Sequence, residues 1–406
     1  MLGLHVAARM TPSIDGAGQR WYAHSYNRPN LYRLAATLSW VPRGLRLALA
    51  RHIGRLAPSR MPTERAAIRT AMTRFTGATG SRLDTLTVRV FTDFAMCFSD
   101  LVSTNRQIAA LRSSHVGNVE GVERLASLPG GLISLTAHVG NWELAGRLLA
   151  GRSARPTHVV VAPDEAEELQ RWVRRDGEGV RFVSRSRPTV SLELLAALRR
   201  GEVVGVQGDR ALGTRGDVEV PFFGHPARFP LGPFRLSSAV KVPLLPAFCL
   251  LDSQYRYVVK IAEPFIAARG EEEAAARAWV GPSRPSCGST RLSGSISSTS
   301  GPRSASRNTF VQGDAVENDD KVLEELKDLM VERLKFEPSR VPDLSLATVL
   351  PKGIEGSLGL DSLDFIELSV GIEERFGFVI DEAQDLEAHF QSLGTLVEYI
   401  KSRSNG

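Results

Sequence analysis

Two short stretches of this sequence set residue types at spacings that suit chemistry. The first is Gly359-Leu360-Asp361-Ser362-Leu363. Leu363, Ile366, Leu368 and Ile372 continue from it at helical spacing, so Asp361 and Ser362 fall at a predicted helix N-terminus. The free backbone N–H groups there favour a phosphate, and an exposed serine can take a phosphodiester-linked arm. The second is Ala137-His138-Val139-Gly140-Asn141-Trp142-Glu143, between a predicted strand and a predicted helix. With the helix starting inside this stretch, the Glu143 carboxylate can turn back to the His138 imidazole. Such a pair suits acyl transfer: the histidine removes the proton of an attacking hydroxyl, and the carboxylate orients the ring and stabilises its positive charge. An acyl group already activated as a thioester needs no nucleophile from the enzyme.

The elements that must position these residues divide the chain. Residues 1–125 read as helical, through Leu31, Leu34 and Leu38, then Leu45, Leu47 and Leu49, with Met61-Pro62-Thr63-Glu64 as a helix start. From 126 to 280, predicted strands at 132–136, 159–161, 180–183, 203–207, 244–251 and 255–261 alternate with predicted helices at 142–149, 165–173, 190–199 and 231–240. This alternation predicts an α/β domain with a mixed, largely parallel sheet and flanking helices. Residues 281–318 contain a tract of Ser, Arg, Gly, Pro and Thr with almost no core-forming side chains, and read as a flexible linker. From 319 to 406 the apolar period returns, in Val322, Leu323, Leu326, Leu329, Met330 and Leu334, and predicts a separate helical domain.

Charge is unevenly shared between these parts. The whole chain carries +5, but residues 319–406 hold 19 acidic and 9 basic side chains, a net of −10. The remainder holds 41 basic and 26 acidic side chains, a net of +15. An acidic module tethered to a basic one predicts that the two dock, or that the basic one faces anionic lipid; an arginine-heavy surface is the bland alternative. No nucleic-acid partner is expected. No stretch reaches the roughly 18 apolar residues of a membrane span. Residues 31–56 come nearest, but Arg33, Arg43, Arg46, Arg51 and Arg55 interrupt them, which predicts a basic amphipathic helix that either lies in a bilayer interface or packs with a solvated face. The N-terminus reads as lacking a signal peptide. Cys97, Cys249 and Cys287 have no metal or redox spacing, and no metal site is expected; Cys249, in an apolar strand, reads as a buried structural thiol.

In this frame residues 319–406 resemble the acyl carrier protein family. The likeness rests on Asp361-Ser362-Leu363 opening the second helix, a long loop through Leu344, Leu346 and Leu350, and Glu373-Glu374-Arg375-Phe376-Gly377. The tail from Ile380-Asp381 to Tyr399-Ile400 fits as well. The resemblance implies an all-α four-helix bundle with 4′-phosphopantetheine attached covalently to Ser362. It also implies a phosphopantetheinyl transferase that attaches the arm and acyl-chain synthases that load it. Family members dock through the acidic second helix, here bearing Asp364, Glu367, Glu373 and Glu374, so the division of charge acquires a functional reading.

Residues 20–280 resemble the lysophospholipid acyltransferase superfamily, through the His-x4-Glu spacing of His138 and Glu143. The wording His-x-Gly-Asn-Trp-Glu is similar to its lipid A lauroyl/myristoyl acyltransferase branch. Further matching stretches are Val206-Gln207-Gly208-Asp209-Arg210, Val220-Pro221-Phe222-Phe223-Gly224, Phe229-Pro230-Leu231-Gly232-Pro233 and Val242-Pro243-Leu244-Leu245-Pro246. The resemblance implies a catalytic dyad of His138 and Glu143, with substrate contacts around Asp209, Arg210, Phe223 and Gly224. It implies a lipid or glycolipid acceptor offering a hydroxyl or amine, and a peripheral position on the cytoplasmic face of the bacterial inner membrane. The branch favours Asp-Gln where this chain has Asp209-Arg210, which leaves the role of Arg210 open. His225 reads as a variable loop residue.

Two questions stay open at this level. The branch ends in an aromatic run that this chain lacks, yet the codons of residues 290–301, begun at the third base of the preceding residue, can encode one. The tract is therefore either a serine-rich linker or a stretch between two compensating frame shifts that displaces a closing segment of the acyltransferase core. The chain itself is either an acyltransferase fused to its own carrier, or a non-enzymatic carrier for separate fatty acid, polyketide or polyene synthases with a degenerate acyltransferase-like domain.

Overall fold

The computed structural model describes residues 37–104, 115–161, 179–185, 187–213, 216–281, 315–380 and 386–404. Residues 31–36, the helix expected over 165–173, Cys287 and the tract 282–314 lie outside them, and both readings of that tract stand. Three helices come first: α1 (Arg43–Arg60), α2 (Pro62–Thr76) and α3 (Gly80–Thr104). Next are β1 (Val116–Glu120), α4 (Val122–Ala126), β2 (Leu132–Thr136), α5 (Trp142–Ser153), β3 (Thr157–Val161) and β4 (Val180–Ser184). They lead to α6 (Val190–Arg199), β5 (Val203–Gln207), β6 (Asp217–Phe222), β7 (His225–Pro230) and α7 (Gly232–Val240). The α/β part ends with β8 (Leu244–Leu251), β9 (Tyr257–Ile261) and α8 (Glu272–Val280). The C-terminal helices are α9 (Ala315–Leu334), α10 (Ser362–Phe376), α11 (Leu386–His389) and α12 (Leu393–Ser404).

Seven strands form one sheet in the order β1-β9-β8-β2-β5-β3-β4. From β8 to β4 every neighbouring pair is parallel. β9 runs antiparallel to β8, and β1 follows β9. The sheet is therefore mixed and largely parallel, flanked by helices. Alternate side chains serve opposite faces, as the pleat requires. Leu132, Val203 and Leu245 pack with Leu144 and Leu149 of α5. Ile133, Val204 and Leu244 pack with Leu195 and Leu198 of α6 and Phe234 of α7. β6 and β7 form a separate antiparallel hairpin. Sequence periodicity did not foresee β1, this hairpin or α8.

The N-terminal helices lean on the β9 side of the sheet. Pro62 opens α2 at a position where its missing N–H costs nothing. A Cβ added to Gly54 of α1 would lie 2.6 Å from Cα of Thr92, so only glycine permits so close a crossing of α1 over α3. Beside it, fully buried Asp100 of α3 accepts from Arg43 (2.7 Å) and Arg46 (3.2 Å) of α1 and from the Tyr257 hydroxyl of β9 (3.1 Å). Burial pushes the thiol of Cys97, one turn earlier, up to about 12, and it raises that of Cys249 in β8 too. Both are un-ionised packing groups at neutral pH, the role expected of Cys249.

The C-terminal helices surround their own core, in which Leu326, Leu329, Met330, Phe365, Leu368, Phe390, Leu396 and Ile400 are buried. Helix α9 opens at Ala315, four residues before the expected boundary.

Asp100 ties two helices to the sheet, and Arg46 is only 3% exposed. Asp100→Ala is therefore expected to destabilise the α/β domain by about 3–5 kcal/mol, because it strands a buried guanidinium. A loss under 1 kcal/mol in chemical denaturation contradicts this account.

Candidate active site and carrier serine

Strand register brings the first group of residues together. Thr136 of β2 pairs with Gln207 of β5, so both strands end at the same height. The Gly208 amide donates to the Thr136 carbonyl (2.9 Å), extending the ladder by one bond. His138 and Asp209, each two residues past its strand, then emerge side by side. A Cβ on Gly208 would lie 2.8 Å from Leu135 Cδ1 and 3.1 Å from Trp279 Cη2, so a larger residue there would push on both side chains.

The turn around His138 is tight. The Val139 amide donates to the Ala137 carbonyl (2.7 Å). Gly140 has φ +62°, and a Cβ there would fall 1.8 Å from the Cys249 carbonyl oxygen of β8. No other residue fits that place. Asn141 caps α5, its Oδ1 accepting from the Leu144 amide (3.1 Å). The wording His-x-Gly-Asn-Trp-Glu thus has a mechanical meaning: a glycine pressed against β8, then a helix cap.

Asp209 grips His138 twice. Its Oδ2 accepts from the His138 backbone amide (2.9 Å), and its Oδ1 lies 2.8 Å from ring Nδ1. Burial raises the carboxyl's proton affinity, but the His138 ring and the two hydrogen bonds from His138 outweigh it, and Asp209 titrates below the ordinary aspartate range. It is ionised at neutral pH and can only accept, so Nδ1 carries a proton and, in the neutral form of the ring, Nε2 keeps the lone pair. The Trp142 ring stands edge-on to the imidazole, centroids 6.3 Å apart.

Ring Nδ1 is thus held by Asp209, which was expected among the substrate contacts, so the ring is not oriented by the expected partner Glu143 alone. Glu143 is 2% exposed in the first turn of α5. There the helix N-terminus favours a carboxylate. The pairing of Asp209 with His138 is not legible in the sequence because 71 residues separate them. Only the adjacency of β2 and β5 joins them. Arg210 follows on the same loop, partly exposed.

Phe223 and Gly224 form the two-residue turn of the β6–β7 hairpin, with φ +49° and +77°. Two positive φ values fit a hairpin turn that follows the strand twist, at a cost of roughly 1–2 kcal/mol for the phenylalanine. The Phe223 ring packs on Phe75 of α2 (4.7 Å between centroids). Phe222 and Phe229 continue the cluster to Trp279, the side chain that abuts Gly208. The hairpin is thereby connected to the residue preceding Asp209. His225 is exposed at the start of β7.

The second group lies at the start of α10. Asp361 is the cap: its Oδ1 accepts from the Leu363 (2.8 Å) and Asp364 (3.2 Å) amides, while Asp364 Oδ2 accepts from the Asp361 amide (2.8 Å). Ser362 is the first helical residue and partly exposed, so its hydroxyl is not needed for capping. A phosphodiester on that oxygen meets the positive end of the helix. The site fits a phosphopantetheine arm.

Residues 33–279 match the family model described as bacterial lipid A biosynthesis acyltransferase. The chain belongs to that family. Residues 324–400 match the phosphopantetheine attachment site model, so the family domain is joined to a carrier domain whose covalent cofactor is 4′-phosphopantetheine. Among curated proteins, the chain is similar to phosphatidylinositol mannoside acyltransferase of Mycobacterium tuberculosis (strain H37Rv), 30% identical over 154 residues. That stretch covers 37% of this chain and 48% of the relative, so the chain spans about half the length of the mycobacterial proteins it matches. The carrier domain is similar to acyl carrier protein of Phenylobacterium zucineum, 32% identical over 82 residues, 20% of this chain and 92% of that protein. It is likewise similar to acyl carrier protein of Lactobacillus johnsonii, 31% identical over 90 residues, 21% of this chain and 98% of that protein.

Because folding lowers the Asp209 pKa, its contribution to stability is complete above the ordinary aspartate range and fades as pH falls through the lower folded value. The stability gap between the native chain and Asp209→Asn is therefore expected to shrink below about pH 4. A gap independent of pH in acid denaturation series contradicts an ionised Asp209.

Proposed function

We propose that this family member transfers an acyl chain, carried on Ser362, to a hydroxyl or amine of a lipid or glycolipid. The observation that carries this reading is the intact pairing of His138 with an ionised Asp209, in a chain that also contains a carrier domain. A degenerate domain serving only to anchor a carrier has no need of that pairing. The arm supplies a thiol that holds the acyl chain as a thioester. His138 Nε2 takes the proton of the acceptor hydroxyl or amine as that atom forms its bond to the acyl carbonyl carbon. Asp209 stabilises the imidazolium so formed, and His138 returns the proton to the departing group. Glu143 acts as a positioning residue in the first turn of α5, the helix that follows the His138 loop. The mycobacterial relatives' name specifies a mannoside of a phospholipid, and this supports the glycolipid class for the acceptor. A phosphopantetheinyl transferase and acyl-chain synthases complete the set of partners.

The acceptor class points to a membrane face, and α1 supports peripheral binding there. Its outward side exposes Leu45, Leu49, Ile53 and Leu56 at helical spacing, with Arg55 and His52 beside them and Trp40, 89% exposed, just ahead. No helix among the described residues is long and apolar enough to cross a membrane. An apolar stripe edged with cations lies in a bilayer interface. We assign this face to the cytoplasmic side of the bacterial inner membrane.

Two experiments test the reading. With a labelled acyl chain loaded on Ser362 and bacterial lipid extract supplied, the native protein is expected to pass label to lipid. His138→Ala should slow this by about 10²–10⁴-fold and leave the label on the carrier. Equal transfer by both proteins, followed by intact mass, overturns the enzymatic role and leaves the carrier serving other enzymes. Replacing Leu49 and Ile53 together by glutamate should abolish co-sedimentation with phosphatidylglycerol vesicles. Undiminished co-sedimentation removes α1 from the membrane contact.

A further inference from the structure

The carrier domain rests on the α/β domain chiefly through one helix. α10 packs along α6 and α7 with an apolar centre and a charged rim. Leu192 and Ala196 of α6, one turn apart, are buried in the carrier's core cluster. In return Ile366 of α10 is buried among the sheet-side residues of the α/β domain, with Leu363 packed against it. Around this centre Arg199 of α6 binds Glu373 and the Ile380 carbonyl, and Arg235 of α7 binds Glu367. Arg269 binds Glu374, and Arg187 binds Glu387 of α11. These four arginines belong to the part with net +15, and the four glutamates to the part with net −10. An apolar centre inside an ionic rim is the anatomy of a specific protein interface, not of incidental contact.

The direction of α10 follows from the same contacts. Helices α6 and α7 each precede a central parallel strand, β5 and β8, and run opposite to it. A Cβ on Gly131, at the entry to β2, would fall 2.0 Å from the Leu198 carbonyl, so the α6 C-terminus lies at the entry edge of the sheet. The N-termini of α6 and α7 consequently lie at the exit edge, where His138 and Asp209 leave β2 and β5. α10 runs parallel to both. Leu363 in its first turn adjoins Gly232 at the start of α7, Glu367 meets Arg235 one turn on, and Glu373 reaches Arg199 in the last turn of α6. Ser362 therefore starts at the exit edge, the edge that bears His138.

We infer that the fused carrier is the enzyme's dedicated acyl donor, docked in cis on α6 and α7 with Ser362 turned toward the catalytic edge. The same docking closes this face to free carrier proteins. The inference rests on the proposed transfer activity for its consequence, but the docking itself is a separate claim. Tethering holds the carrier near its seat at an effective concentration on the order of 1 mM, against about 10 μM for a second molecule in a dilute assay, a ratio of about 100.

The docking is tested without turnover, by amide hydrogen exchange on the full-length chain before attachment of the arm. Arg199→Glu combined with Arg235→Glu is expected to speed exchange along both α6 and α10. Adding Glu367→Arg and Glu373→Arg should restore protection, which a merely unfolded variant cannot do. Unchanged exchange in the double arginine variant overturns the docking. The dedication is tested by mixing Ser362→Ala with His138→Ala whose carrier bears labelled acyl chain, each at about 10 μM. Transfer in the mixture should be about 100-fold slower than in the loaded native chain. Transfer at the native rate overturns the cis assignment. A native chain that docks by exchange yet passes no label refutes the proposed activity while the docking stands.

Discussion

The geometry around His138 depends on one carboxylate accepting two hydrogen bonds from one residue. Asp209 holds the amide and the imidazole of His138 together, 2.9 and 2.8 Å away. That double grip fixes where the ring stands, which nitrogen is protonated, and that the carboxylate stays charged although its side chain is only 6% exposed. The α/β fold serves to make the grip possible. Parallel β2 and β5 end in register, Gly140 allows a turn too tight for any side chain, Gly208 leaves room for Leu135 and Trp279, and Asn141 starts the helix that backs the loop. An isolated histidine before a helix has none of these constraints.

The second organising interaction is between the two parts of the chain. Opposite net charge draws them together over a Debye length of about 8–10 Å, but charge alone gives little affinity at an exposed rim. The apolar exchange of Leu192 and Ala196 for Ile366 supplies the centre, and the arginine–glutamate pairs set the register. Three of the four pairs have partners a quarter or more exposed on at least one side, whereas Arg199 and Glu373 are about 15% exposed each. That pair is the least screened by solvent and fixes the far end of α10. The near end is fixed by Leu363 against Gly232, which sets Ser362 at the sheet's exit edge.

The sequence was most readable where the chain must satisfy local rules. Short β-branched runs such as Thr157–Val161 and Val203–Gln207 lack any other fate, and the Asp361 cap with Asp364 three residues on marks the start of α10 directly. The β6–β7 hairpin was hidden because Pro221, Pro226 and Pro230 interrupt its strands, which only a two-stranded edge structure tolerates. Pairings between distant segments were not readable. His138 and Glu143 share a loop and a helix turn, so spacing suggested a dyad. Asp209 reaches the ring because β5 is the lateral neighbour of β2, a fact of topology and not of spacing. Division of charge offered docking as one reading among others, and did not indicate that α6 and α7 form the seat.

Since the base role proposed for His138 depends on an ionised Asp209, the tautomer of that ring tests it most directly. Nitrogen NMR of the full-length protein labelled at histidine, with His138 assigned by its loss in His138→Ala, reports it near neutral pH. The account predicts that neutral His138 carries its proton on Nδ1 and keeps the lone pair on Nε2 to accept another. A neutral ring protonated on Nε2 instead would contradict it, because Asp209 would then be no partner for the base that the chemistry requires.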